Sequence, residues 1–280
     1  MNNQPIGVFD SGVGGLSVLT ELRRLLPNEE YLFVADQAHV PYGLRSREEV
    51  RRYCFGIVDF LLRHGSKLVI VACNTASAAA LQPLRTIHPD IPFVGMEPAV
   101  KPAAEESRRG VIGVIATEAT FQGELFASVV HRYARGVKVV THTVPGLVEW
   151  IEAGETEGPA LEARLRLQLQ PLLDAGIDEL VLGCTHYPFA RQALQNVVGP
   201  DVKIIDPAPA IARRTAQVLA KRNLCSVDGA GSVLCFTSGD PDAFSRISRK
   251  LLEVELPVRG IRWPAGSATE GELFESEGEG

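Results

Sequence analysis

The sequence predicts an α/β fold of two pseudo-symmetric domains with mainly parallel sheets and a cleft between them. Three observations carry this expectation. Short apolar runs alternate with amphipathic stretches of helical period along most of the 280 residues. The order of these segments in the first half is repeated in the second. At the same step of each repeat a cysteine follows an apolar run, Cys73 after residues 67–72 and Cys184 after residues 179–183.

Taken in order, residues 5–9 read as the first strand, and Gly12-Val13-Gly14-Gly15 leads into a helix over 15–26. Residues 31–35 form the second strand. Residues 47–64 form a helix whose stripe is Val50, Tyr53, Cys54, Ile57, Val58, Leu61 and Leu62. A third strand delivers Cys73, a helix over 77–86 follows, and residues 92–95 make a short strand. The repeat starts at strand 111–116, continues with strand 137–141 and a long helix over 159–175 containing Pro171, and reaches strand 179–183 with Cys184. Residues 202–205 match 92–95. The turns Met96-Glu97-Pro98-Ala99 and Ile205-Asp206-Pro207-Ala208 match as well, each leading into a helix.

These matches divide the chain into a first domain of residues 1–97 plus 208–264 and a second of 98–207. Beyond 208 a helix at 210–221 and a strand at 232–236 are too little for a domain of their own and return to the first. Residues 265–280, rich in Gly, Glu and Ser, predict a disordered acidic tail.

Composition narrows the function classes. With 45% hydrophobic and 22% charged residues the chain can bury a sizeable core. Its net charge is -6, of which five glutamates in residues 265–280 supply all but -1. No basic stripe is available to neutralise phosphates, so a nucleic-acid partner is not expected. No apolar run approaches the roughly 18 residues of a membrane span, and the first residues lack a signal-peptide pattern. Five cysteines without a C-x-x-C pair read as reduced thiols in a cytoplasmic protein.

Ligands of open parallel sheets bind at the carboxyl ends of the strands, where Cys73 and Cys184 lie. Two thiols on opposing walls suit a reaction in which a proton leaves one face of a carbon and returns on the other. A thiol pKa of roughly 8.5 is close enough to neutrality to be tuned. The competing reading of a free cysteine is a small buried hydrophobe. That reading suits Cys54 and Cys235; Cys225 also lacks the polar context. Here two cysteines hold matching places beside threonine and asparagine or histidine, which favours chemistry.

Other candidates surround them. Asp10-Ser11 precedes the glycine loop, which offers backbone N–H groups as a carboxylate or phosphate cradle. Asp10 could bind an ammonium group, orient a thiol, or only cap a helix. His186 could tune Cys184 or be structural. A Cys-x-His zinc site lacks its third and fourth ligands, so no metal is expected. Tyr42 and Gly43 sit in a turn that can present donors. Thr117 and Thr120 occupy the loop equivalent to Asp10-Ser11. Glu149 and Glu152 lie on a helix equivalent to the Tyr42 region. A nucleotide-binding module is the alternative from a different class. Gly12 to Gly15 nearly match G-x-G-x-x-G but end on Ser17, and Asp36 stands where a ribose-binding acid would.

Together the segments Phe9-Asp10-Ser11-Gly12-Val13-Gly14-Gly15-Leu16, Ala35-Asp36 with Pro41-Tyr42-Gly43, Ala72-Cys73-Asn74-Thr75-Ala76-Ser77-Ala78 and Gly183-Cys184-Thr185-His186-Tyr187-Pro188 resemble the glutamate racemases of the cofactor-independent aspartate/glutamate racemase superfamily. The resemblance runs from about residue 5 to 260. It implies interconversion of L- and D-glutamate without a cofactor, supplying D-glutamate for peptidoglycan. It implies Cys73 and Cys184 as the acid/base thiols, the first acting on D-glutamate and the second on L-glutamate, assisted by Asp10 and His186. Asp10, Ser11, Tyr42, Gly43, Asn74, Thr75, Thr185 and His186 match its substrate contacts. Thr117 and Thr120 match a loop near the substrate. Glu152 matches a further active-site glutamate, within a stretch that departs from the usual pattern. A homodimer is the usual assembly, and some relatives have a wall-precursor activator. A sister racemase acting on aspartate or a hydantoin remains open at this stage.

Overall fold

The computed structural model describes residues 3–263 and the backbone of Glu272–Leu273. The chain opens with β1 (Ile6–Asp10), α1 (Leu16–Leu25), β2 (Tyr31–Ala35), α2 (Arg47–Arg63), β3 (Leu68–Val71), α3 (Asn74–Ile87) and β4 (Phe93–Gly95). β1 and β3 are buried on both faces, as central strands of a parallel sheet should be. α2 starts at a capping box, in which the Ser46 hydroxyl accepts the Glu49 N–H and the Glu49 side chain accepts the Ser46 N–H. Its predicted stripe is buried except for Leu62, which is half-buried.

The middle of the chain repeats the plan with α4 (Val100–Glu106), β5 (Val111–Ala116), α5 (Glu118–Phe121), α6 (Glu124–Tyr133), β6 (Lys138–His142), α7 (Leu147–Glu152), α8 (Pro159–Asp174), β7 (Glu179–Gly183), α9 (Arg191–Val198) and β8 (Lys203–Ile205). α8 runs through Pro171 and buries Leu161, Leu165, Leu169 and Leu172. The last part holds α10 (Ala208–Arg222), β9 (Val233–Thr237), α11 (Pro241–Leu252), β10 (Val258–Arg262) and β11 (Glu272–Leu273).

Two sheets result. One has the order β11-β10-β9-β2-β1-β3-β4 and the other β6-β5-β7-β8. Every pairing is parallel except that of β10 with β11. The stretch β2-β1-β3-β4 has the same connectivity as β6-β5-β7-β8, so β3 and β7 are equivalent and both cysteines leave equivalent strand ends. The first sheet takes strands from both ends of the chain, and α10 packs on α1.

Two expectations are amended, and a third falls outside the described residues. The helix after Cys73 begins at Asn74 instead of 77. Cys73 is the last extended residue (φ -146°, ψ 125°), which puts Asn74 and Thr75 in the first helical turn. Beyond 208 the chain adds α11 and β10 to the helix and strand expected. β10, Val-Arg-Gly-Ile-Arg, carries two arginines and a glycine and shows no apolar run, as suits a strand toward a sheet edge. The tail expected to be disordered, 265–280, lies outside the described residues apart from Glu272–Leu273, whose backbone pairs with β10.

Candidate active site

Asp10 ends β1 fully buried, and its carboxylate accepts the backbone N–H of Ser11 (2.7 Å) and Gly15 (2.5 Å) and the Thr185 hydroxyl (3.1 Å). It therefore caps the turn into α1 and also reaches the second wall. Gly14 is required for close approach. A Cβ there would collide with His186 Nδ1 and Asp10 Oδ2. Burial raises the Asp10 pKa, opposed by the charge of His186 and a hydrogen bond with Cys73. Burial and then the charge of Asp10 push the Cys73 thiol well above its ordinary value.

Across the cavity, Cys184 Sγ lies 3.7 Å from His186 Nδ1, and His186 Nε2 lies 2.6 Å from Glu152 Oε1. Burial alone would strip the His186 proton. Hydrogen bonds to Cys184 and Glu152 outweigh it and raise the pKa well above the ordinary value. An imidazolium has donors on both ring nitrogens and suits both partners at once. Burial likewise pushes Glu152 up, but His186, the Val13 N–H and Gln37 hold it below its ordinary value. Glu152 Oε1 also accepts the Val13 N–H at 2.9 Å, and a Cβ on Gly12 would collide with it. The glycine loop is thus a carboxylate cradle, filled by this chain's own Glu152.

Ser11, Tyr42, Gly43, Cys73, Asn74, Thr75, Thr117, Cys184, Thr185 and His186 line one cavity of about 20 Å³. Asp10, Thr120 and Glu152 stand behind this lining. The Thr120 hydroxyl meets Thr117 (3.0 Å) and Thr75 (3.4 Å), while Thr75 and Thr117 share a 2.9 Å bond. Both side-chain polar atoms of Asn74 are buried without a partner. A volume of about 20 Å³ suffices for about one water, so a ten-heavy-atom amino acid requires the walls to part. A neighbouring cavity of about 210 Å³ shares Pro41, Gly43, Thr117 and Val148 with this one; Glu149 lines it.

The Tyr42 hydroxyl is donated to Asp36 at 2.6 Å, so the residue faces the cavity without a free hydroxyl. Asp36 is fully buried and also accepts from Ser238 (2.6 Å) and Trp263 Nε1 (2.8 Å), with His39 Nδ1 at 2.9 Å. This overturns its reading as a ribose-binding acid, and with Glu152 in the glycine loop the nucleotide module loses both its supports. Cys54 and Cys235 are buried packing residues and Cys225 is exposed. Among the described residues no group of three or more His, Cys, Asp or Glu is placed to hold a metal ion, and no helix is long and apolar enough to cross a membrane. Sequence reasoning missed Gln37, Ser17, Ser238 and Trp263, whose contacts join distant segments. Ser17 donates its hydroxyl to the Thr185 carbonyl (2.9 Å), and Gln37 donates to Glu152 (2.8 Å).

Known proteins resemble this chain in sequence and in fold. A family profile described as Asp/Glu/Hydantoin racemase matches residues 6–215. A glutamate racemase of Roseiflexus sp. strain RS-1 is 51% identical over 250 residues, covering 89% of this chain and 92% of its own. A crystal structure of a glutamate racemase isoform from Bacillus anthracis superposes with a TM-score of 0.87 at 34% identity, covering 95% of this chain and 100% of that one. The Escherichia coli glutamate racemase, crystallised with L-glutamate and the activator UDP-MurNAc-ala, gives a TM-score of 0.81 at 30% identity, covering 92% and 97%.

Proposed function

The chain belongs to the Asp/Glu/hydantoin racemase family, and from that premise we propose how its residues carry the reaction. It is an isomerase that interconverts L- and D-glutamate. The observation that carries the residue assignment is the pair of thiols, one from each repeat, opening on the same cavity. In the L-to-D direction the Cys184 thiolate takes the α-proton from one face of the substrate. The Cys73 thiol then delivers its proton to the other face. Cys184 ends protonated and Cys73 ends as the thiolate, which is the starting state for the reverse direction. Asp10 attends Cys73, and the His186–Glu152 pair attends Cys184.

The transient negative charge at Cα spreads into the α-carboxylate. Fixed donors in a water-poor site lower its energy. Asn74 supplies an amide with no competing partner, and Ser11, Gly43, Thr75, Thr117 and Thr185 complete the contacting set. Tyr42 contributes a wall, while Thr120 holds the two threonines in front of it. The domains run over 1–97 plus 208–264 and 98–207, and the reading extends to a cytoplasmic homodimer supplying D-glutamate for peptidoglycan. An activator of the wall-precursor kind that accompanies the E. coli relative is part of the same expectation, with no membrane or nucleic-acid partner.

The test is deuterium incorporation from solvent at Cα of L- and D-glutamate, followed by NMR without added cofactor, with L-aspartate as control. Exchange and conversion with both glutamate enantiomers is the expected result, with the conversion abolished by Cys73→Ala and by Cys184→Ala. Full turnover by either variant defeats the two-thiol assignment.

A further inference from the structure

Gln37 occupies a short 3-10 turn, Gln37–His39, just past β2. Its amide nitrogen is 2.8 Å from Glu152 Oε2, across 115 residues of sequence. The other carboxylate oxygen is already shared between the Val13 N–H and His186 Nε2. Among the described residues Gln37 is the one side chain that holds Oε2, and so it sets the rotation of the carboxylate that His186 reads. The turn itself is pinned: the Ser238 hydroxyl accepts the Ala38 N–H and donates to Asp36. Gly239 leaves the room that Gln37 needs, since a Cβ there would fall 2.7 Å from Gln37 Cβ.

We infer that Gln37 is a positioning residue for the Cys184 half of the reaction, orienting Glu152 and through it His186. The inference rests on the two-thiol reading above. Its kinetic signature is one-sided. Enantiomers have equal free energy, so kcat/KM stays equal in the two directions in any variant. Slowing proton transfer at Cys184 instead makes that step more rate-limiting for the enantiomer it deprotonates. The primary isotope effect on kcat/KM then rises for α-deuterated L-glutamate and holds or falls for α-deuterated D-glutamate.

The experiment measures these isotope effects for the wild type, Gln37→Leu and Gln37→Glu, with thermal unfolding alongside. Gln37→Leu removes the donor. Gln37→Glu preserves the shape but turns an acceptor toward a carboxylate, and so is the more damaging despite its closer resemblance to glutamine. The expected fall in kcat/KM is roughly three- to tenfold for Gln37→Leu and larger for Gln37→Glu, with the isotope effect rising for L-glutamate alone. An unchanged isotope effect, an equal rise with both enantiomers, a rise with D-glutamate alone, or Gln37→Glu outperforming Gln37→Leu overturns the inference while the two-thiol reading stands. A wild-type protein that fails to exchange the α-proton of glutamate overturns both.

Discussion

Replacing Glu152 by glutamine tests the coupling between His186 and the site. The substitution keeps shape and one acceptor but removes the charge 2.6 Å from His186 Nε2. The Glu152 side chain is only 14% exposed, so solvent screens the pair weakly. A hydrogen bond to a charged group contributes about 1.5–3 kcal/mol net. At about 1.4 kcal/mol per tenfold, kcat/KM should fall by roughly 10- to 150-fold if the whole effect is felt in the transition state. The pH dependence follows from the directions of the two shifts. His186 is raised, so its stabilisation is fully present below the ordinary histidine pKa of about 6.5 and is lost as pH rises through the folded value. Glu152 is lowered, so its stabilisation is present above about 4.3 and is lost as pH falls through the folded value. The difference in thermal stability between wild type and Glu152→Gln should therefore be widest between those two ordinary values and close on either side. Circular dichroism of the glutamate solution follows racemisation, and unfolding scans over the same pH series follow stability. A fall in kcat/KM under about threefold with superimposed pH profiles would show that His186 does not depend on this charge.

Two further substitutions probe the frame. Trp263→Phe keeps the ring against the core but withdraws the 2.8 Å donor from Asp36, which also anchors the Tyr42 hydroxyl. KM for glutamate should rise roughly three- to tenfold with kcat nearly unchanged, read from initial rates; a lowered melting temperature with an unaltered KM would make Trp263 purely structural. Gly14→Ala forces a Cβ against His186 Nδ1 and Asp10 Oδ2. Activity should drop by about a hundredfold while the far-ultraviolet circular dichroism spectrum is retained, and near-normal turnover would show that the loop yields without cost.

The sequence reveals the parallel-sheet plan because strand and helix periods are local signals, and both cysteines stand at strand ends flagged by apolar runs. It reveals less of how the site is braced. Glu152, read from the chain alone, is as easily a solvated helix face; its neighbours Val13, Gln37 and His186 come from three other segments. Trp263 is tied to Asp36 over 227 residues, a contact that no local pattern encodes. Asp36 misleads for the same reason. Its spacing from the glycine loop imitates a ribose-binding acid, and only the packing of Tyr42, Ser238 and Trp263 around it shows the carboxylate to be enclosed. β10 is invisible to periodicity because its pairing with β9, rather than an apolar run, makes it a strand.

The two thiols have unequal surroundings, and this gives the resting protein a handedness of its own. Burial and Asp10 push the Cys73 thiol up, whereas Cys184 sits 3.7 Å from a histidine whose own pKa is held above the ordinary value by its hydrogen bonds. Under the proposed mechanism the site carries one exchangeable proton for two sulfurs, and each product leaves it on the opposite sulfur from where the cycle began. Free protein thus exists as two proton isomers, one ready for each enantiomer. Between turnovers in one direction the proton must travel back without a substrate to carry it. Where that return is slower than the carbon chemistry, it is the step that caps the rate at high glutamate concentration.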